Sequence, residues 1–256
     1  MIDSLGDRMK RYEMVSRSYL TRRTPVAIRL DGRAFHTFTK GFKKPFDPLL
    51  IEAMNETMKY LCENIQGCVL GYTQSDEITL ILQDYAKLET DAWFDYNVQK
   101  MASIAASMAT LEFNRMFEML VNRLRLPATG NFRFEDTPYV KAMANGATFD
   151  ARCFNIPKEE VTNLLLWRQK DAIRNSISSV AQSLYSAKQL HGKNSEEKIK
   201  MIAEKGYDWN SIEINLQRGS CCVKNNEGKW GIDYAIPIFI GNDRDFVEKL
   251  INFDQK

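Results

Sequence analysis

The chain has 256 residues, 44% of them apolar and 27% charged, with a formal charge of +2 and five cysteines. That length and balance describe a globular protein with a core of ordinary size, built as one large domain or as a compact domain with an appended lobe. They exclude a membrane-spanning helix, because the longest apolar runs, at 164–167 and 236–240, fall far short of the roughly 18 residues a span needs. A secretory leader is not expected, since the N-terminus is charged from Asp3 onward. Cys62, Cys68, Cys153, Cys221 and Cys222 form no C-x-x-C pair, which argues against both a disulfide framework and a zinc site. A cytoplasmic protein with reduced, mostly buried thiols is the expectation.

Charge is unevenly placed along the chain. Residues 1–44 carry eleven Lys and Arg against four acids, which suits a polyanionic partner on the N-terminal side as well as a solvated basic helix face.

In chain order, residues 3–21 read as a charged helix starting near Asp3 or Ser4. After Pro25 the run VAIRL has the branched, apolar look of a buried strand, and it ends at Asp31-Gly32. Asp47 followed by Pro48 is a helix cap with proline at the first helical position, and Leu50, Ala53, Met54, Thr57, Met58, Leu61, Cys62 and Ile65 then recur at helical spacing. Two short strands follow, 68–72 and 77–83, joined by a tight polar turn at 73–76. A Met- and Ala-rich helix spans about 96–121, its stripe Met101, Ile104, Ala105 and Met108 facing the core or another subunit. Residues 147–156 form another strand. Beyond Pro157 the chain is helical, with a second helix capped at Ser195 and a hairpin turning at 225–228. The order strand, helix, hairpin, helix, strand predicts an α+β fold with an antiparallel, ferredoxin-like sheet over 1–156 and helices on one face. Residues 157–256 would be an appended helical lobe with its own small hairpin, packed on the first part.

This topology brings Asp31, at the end of the first strand, beside Asp76, in the hairpin turn. Two carboxylates at one sheet edge repel unless a cation lies between them. Hard cations such as Mg²⁺ take one or two carboxylates together with phosphate oxygens, and a pair of such ions is a standard device for attack at phosphorus. Gly32 would let the backbone approach a metal or phosphate closely. The stretch GRAFH would offer successive backbone N–H groups to a triphosphate, with Arg33 and Lys44 as cations and Ser75 as a hydroxyl partner.

The segments RLDGRAFHTFTKGFKKPFD (29–47), GYTQSDEITL (71–80), NGATFDAR (145–152) and WRQKD (167–171) together resemble the tRNA-histidine guanylyltransferase family, enzymes that extend RNA in the 3′-to-5′ direction. The resemblance implies a palm-like catalytic domain similar to that of polymerases and nucleotide cyclases. It implies two Mg²⁺ ions held by Asp31, Asp76 and the Gly32 carbonyl. It implies nucleotide contacts from Asp31, Gly32, Arg33, Ala34, Phe35 and His36 with Ser75 and Asp76, and a triphosphate contact from Lys44. Glu77 belongs to the same motif as a catalytic candidate, although in a strand it points opposite to Asp76. The substrates implied are tRNA, ATP and GTP or another NTP, and the assembly implied is a homotetramer.

Eukaryotic members carry His-Ile-Asn-Asn-Leu-Tyr-Asn where this chain has IRNSISS, at 173–179, and only Asn175 is retained. The chain thus resembles the bacterial and archaeal guanylyltransferase-like proteins, whose implied task is templated repair of 5′-truncated tRNA in addition to G addition to tRNA-His. Two other functions share some of these features. A palm-fold nucleotide cyclase would use both aspartates, but its GGDEF-like turn is replaced here by TQSDE. A non-catalytic tRNA-binding protein would use only the basic N-terminal third.

Overall fold

The computed structural model describes residues 4–124 and 137–252. Helices and strands follow in the order α1 (Leu5–Val15), β1 (Val26–Gly32), α2 (Phe35–Phe38), α3 (Pro48–Asn64), β2 (Cys68–Gln74), β3 (Glu77–Leu82), α4 (Val98–Arg123), α5 (Pro138–Asn145) and β4 (Phe149–Asn155). The second part holds α6 (Lys158–Leu184), α7 (Ala187–Leu190), α8 (Ser195–Glu204), α9 (Ile214–Arg218), β5 (Ser220–Lys224), β6 (Trp230–Asp233) and α10 (Asp245–Ile251).

Local chemistry sets several of these limits. Ser4 caps α1 by accepting the Asp7 N–H, and Asp3 lies outside the described residues. Asp47 accepts the N–H groups of Leu49 and Leu50, so α3 starts at Pro48. The long central helix begins at Val98 and not at Tyr96, because Phe94, Asp95 and Tyr96 all have positive φ and Asn97 caps the helix. α8 is capped by Asn194, one residue before Ser195, through reciprocal bonds between Asn194 and Glu197. β2 and β3 run closer together than the sequence suggests. Gln74 pairs with Glu77, and the hairpin turn shrinks to Ser75 and Asp76.

The six strands form one antiparallel sheet in the order β4-β1-β3-β2-β5-β6. Strands β1 to β4 with α3 and α4 make the β-α-β-β-α-β unit of ferredoxin-like sheets. Two expectations are corrected here. Helices cover both faces, because Val26, Ala27 and Ile28 are all fully buried and successive strand residues point to opposite sides. Val26, Ile28, Leu30, Ile78 and Leu80 pack under α3 and α4, whereas Ala27, Leu70, Tyr72 and Ile81 pack under α6 and α10. The second correction concerns the C-terminal hairpin, which is not part of a helical lobe. β5 pairs with β2 and extends the main sheet, so the edge of β2 is not left open to other chains. The helical lobe proper has its own small core, in which Ile177, Val180, Ala181, Leu190, Ile202 and Trp209 join α6, α7 and α8.

Close packing of α3 on the sheet needs a glycine at one place. A Cβ on Gly71 would lie 2.5 Å from Cys62 Sγ and 2.9 Å from Met58 Cγ. The thiols are reduced, four of them buried and Cys153 half-buried. Burial pushes the Cys153 thiol up to about 12 and Cys62 and Cys221 well above the ordinary thiol value, so all three stay neutral. Of the central helix stripe, Met101 and Ala105 are buried, while Ile104 is 40% exposed.

Candidate active site

The end of β1 and the β2–β3 turn meet at one sheet edge, as the topology requires. The Gly32 N–H donates to the Asp76 carbonyl at 3.0 Å and the Arg33 N–H donates to the Thr148 carbonyl at 2.9 Å. These two bonds tie the DG dipeptide to the hairpin on one side and to the entry of β4 on the other. Asp31 is paired in register with Glu77 on β3 and with Asp150 on β4, which sets three acids in a row across the sheet.

The loop after β1 is fixed by its aromatic residues. The Phe35 ring lies 5.2–5.4 Å from those of Phe38, Phe113 and Phe149, and a Cβ on Gly32 would overlap that ring. Glycine at 32 is therefore demanded first by the Phe35 ring, a reason the sequence does not disclose. With Phe35 anchored, Ala34 adopts left-handed geometry at φ 55° and ψ 35° and starts the short helix α2. The backbone N–H groups of Ala34, Phe35 and His36 donate to no acceptor among the described residues. Such a row of free N–H groups is an anion-binding concavity.

Opposite this loop stand the hairpin turn and the loop that carries Lys44. Ser75 has φ 52°, the positive value that two-residue hairpin turns require at their first central position. Its hydroxyl donates to Asp76 Oδ1 at 3.0 Å. Burial pushes the Asp76 carboxyl above the usual carboxylate range, the Ser75 hydrogen bond draws it back, and the Asp31 charge raises it further. Asp47 fixes the Lys44 loop, since its buried carboxylate accepts from the Lys43 N–H at 3.0 Å and from the Tyr139 hydroxyl at 2.7 Å.

Between these walls lies a cleft of about 480 Å³, lined by Gly32, Ala34, Phe35, His36, Lys44, Ser75 and Asp76 among others. Two of the predicted contacts lie elsewhere. Arg33 faces a neighbouring groove with Lys40 and Lys141. Asp31 alternates to the sheet face opposite Leu30 and Gly32, beside the cleft and not in its wall.

Glu77 has a different environment from either aspartate. Arg168 on α6 grips it with two bonds, Nε to Oε1 at 2.6 Å and a terminal nitrogen to Oε2 at 2.8 Å, and Arg29 adds a contact at 3.2 Å. Burial pushes the Glu77 carboxyl up more than Arg168 pulls it down. Burial works against the Arg168 charge, yet Glu77 and Asp171 hold its pKa above the ordinary arginine value. Buried and held by two arginines, Glu77 is an ion-pair partner that ties β3 to α6 at the acid edge.

Arg168 escaped sequence reasoning as the partner of Glu77, although the WRQKD motif contains it. The stretch 173–179 also gains a location. Asn175, Ser176 and Ser179 line a pocket of about 160 Å³ that shares Asp47, Leu50 and Ser75 with the cleft. The segment that departs from the eukaryotic motif thus forms a wall next to the candidate nucleotide site.

Among the described residues, no group of three or more His, Cys, Asp or Glu is placed to cage a metal ion. The donor set at the edge, two carboxylates and a backbone carbonyl, nevertheless suits Mg²⁺, which binds through one or two carboxylates and completes its shell with water and substrate phosphate.

An antiparallel α+β fold whose acid edge adjoins a cleft with unpaired N–H groups and a lysine has the donors that an anionic group such as phosphate needs. Residues 6–157 match the family described as "Thg1: tRNAHis guanylyltransferase". A protein of Acanthamoeba polyphaga mimivirus with no assigned function is 32% identical over 83% of this chain and 74% of its own length. The tRNA(His) guanylyltransferase of Debaryomyces hansenii is 25% identical over 88% of this chain and 82% of its own. A bacterial tRNA(His) guanylyltransferase-like protein solved in complex with ATP is 42% identical, with a TM-score of 0.84, and covers 98% of this chain and 100% of that one. A structure of a bacterial protein of the same description with GTP gives 40% identity and a TM-score of 0.78 over 98% of this chain and all of that one. The chain belongs to the tRNA(His) guanylyltransferase family, whose members are nucleotidyltransferases. No described helix is long and apolar enough to cross a membrane.

Proposed function

We propose that the chain is a template-dependent 3′-to-5′ nucleotidyltransferase acting on the 5′ end of tRNA, with a palm-like sheet as its catalytic platform. The carrying observation is the cleft, in which Ser75 and Asp76 face the free N–H groups of Ala34, Phe35 and His36 with Lys44 at the side. The related bacterial structures that hold ATP and GTP support a nucleoside triphosphate as its ligand.

In the first transfer the RNA 5′-phosphate attacks the α-phosphorus of ATP and pyrophosphate leaves. In the second, the 3′-hydroxyl of an NTP attacks the activated 5′-phosphate and AMP leaves. The N–H row and Lys44 bind the triphosphate and stabilise charge on its oxygens. Ser75 orients Asp76. Asp31, Asp76 and the Gly32 carbonyl would hold Mg²⁺, two ions by the family resemblance, and the metal would supply charge stabilisation for the attacking and leaving oxygens. His36 is exposed, its Nε2 is 3.1 Å from the Thr37 hydroxyl, and it serves as a ligand contact and not as a base. Pairing with the opposite strand of the acceptor stem selects the nucleotide, and the departure at 173–179 favours repair of truncated tRNA over strict addition of G to tRNA-His. The homotetramer implied by the family resemblance would cover α1, which buries none of its residues and exposes Leu5, Tyr12 and Val15.

The test is transfer of label from ATP labelled at the α-phosphate to tRNA bearing either a 5′-phosphate or a 5′-hydroxyl, with Mg²⁺ and without other nucleotides. Label is expected on the phosphorylated RNA alone, with matching release of pyrophosphate. Equal labelling of both RNAs, or of neither, would overturn the mechanism.

A further inference from the structure

Trp167 is the exposed tryptophan of the described chain, at 53%, whereas Trp93 and Trp209 are buried at 7% and 8%. Exposure of so large an aromatic surface costs hydration free energy that packing would recover, which makes its position informative. Two guanidiniums pack against the ring. Arg168 lies 4.4 Å and Arg29 5.3 Å from the ring centroid, and both of those cations are occupied by Glu77. The indole thus packs against two paired guanidiniums while about half of its surface stays open to solvent.

Its location is tied to the active site by strand geometry. Arg29 precedes Asp31 by two residues on the same face of β1, a spacing of about 7 Å. Arg152 on the edge strand β4 is the register partner of Arg29, and its exposed guanidinium donates to Asp150. Arg174, also exposed, lies two turns along α6 on the flank that Trp167 occupies. An open aromatic plate with cations beside it is the combination that binds nucleic acid ends, the ring stacking on a base and the guanidiniums meeting phosphates.

We propose that Trp167 is the stacking platform for the terminal base of the RNA whose 5′-phosphate reacts beside Asp31 and Asp76, with Arg152 and Arg174 contacting its backbone. The inference rests on the RNA-directed function above. It assigns Trp167 to the RNA and not to the nucleoside triphosphate of the function proposed above, whose cleft is lined on α6 by Ser179, twelve residues beyond Trp167.

The experiment compares Trp167→Phe and Trp167→Leu with the wild-type chain, using 5′-phosphorylated tRNA lacking its first nucleotide. Trp167→Leu is expected to raise KM for this RNA at least about fivefold while leaving KM for ATP and the melting temperature unchanged. Trp167→Phe, which keeps an aromatic face, is expected to stay within about threefold of wild type. In an Asp76→Ala background, saturating tRNA should quench tryptophan fluorescence, and Trp167→Phe should remove most of that quenching. Equal KM values for the Leu and Phe variants, or quenching that survives Trp167→Phe, would overturn the platform. Absence of extension by the wild-type chain would instead overturn the proposed function, so the two failures are distinguishable.

Discussion

Replacing Asp76 by asparagine is expected to slow nucleotidyl transfer by about a thousandfold or more while leaving the fold intact. Charge stabilisation at a phosphoryl centre contributes several kcal/mol, and each 1.36 kcal/mol is about a factor of ten in rate. The stability effect should have the opposite sign. Burial and the Asp31 charge both disfavour an ionised Asp76, and an amide removes both penalties. The metal-free Asp76→Asn protein should therefore melt at or above the wild-type temperature. Pyrophosphate release measured beside a melting curve checks both halves. A lower melting temperature together with the lost activity would assign Asp76 to structure.

Arg168→Leu should destabilise the protein by about 3–5 kcal/mol, because it leaves the buried Glu77 charge without its bidentate partner and with Arg29 alone beside it. The double variant Glu77→Leu with Arg168→Leu should recover most of that loss, since a buried ion pair replaced by apolar side chains is often neutral. Urea unfolding of the two single variants and the double variant measures the coupling directly. Activity should fall in all three, because Glu77 is the register neighbour of Asp31 and its displacement moves the acid edge. A single-variant cost near zero would mean that Glu77 is solvated and free to act as a ligand.

The neighbourhood of Asp31 and Asp76 was legible because element order alone brings the end of β1 to the β2–β3 turn. The exact loop geometry was not. Gly32 reads as a phosphate-approach glycine, yet its tightest neighbour is the Phe35 ring, a contact fixed only when Phe113 and Phe149 arrive from α4 and β4. Arg33 reads as a cation for the triphosphate, but the left-handed Ala34 that follows separates it into the adjoining groove. The Glu77–Arg168 pair spans 91 positions, and no local pattern couples them. The coverage of both sheet faces was present in the sequence, since an unbroken apolar run such as VAI marks a strand buried on both sides. Nothing local in SCCVK indicated that β5 would pair with β2, because edge pairing depends on which strand is left open once the fold has formed.

The most direct measurement incubates the protein with Mg²⁺, ATP and the four NTPs on two tRNAs, one lacking its first nucleotide and one full-length tRNA-His, beside an Asp76→Ala variant. Selective restoration of the missing, template-matched nucleotide, lost in the variant, is the result expected of a repair polymerase with its chemistry at this edge. Extension of neither RNA, with RNA binding equal in the two proteins, would contradict it and leave a tRNA-binding protein.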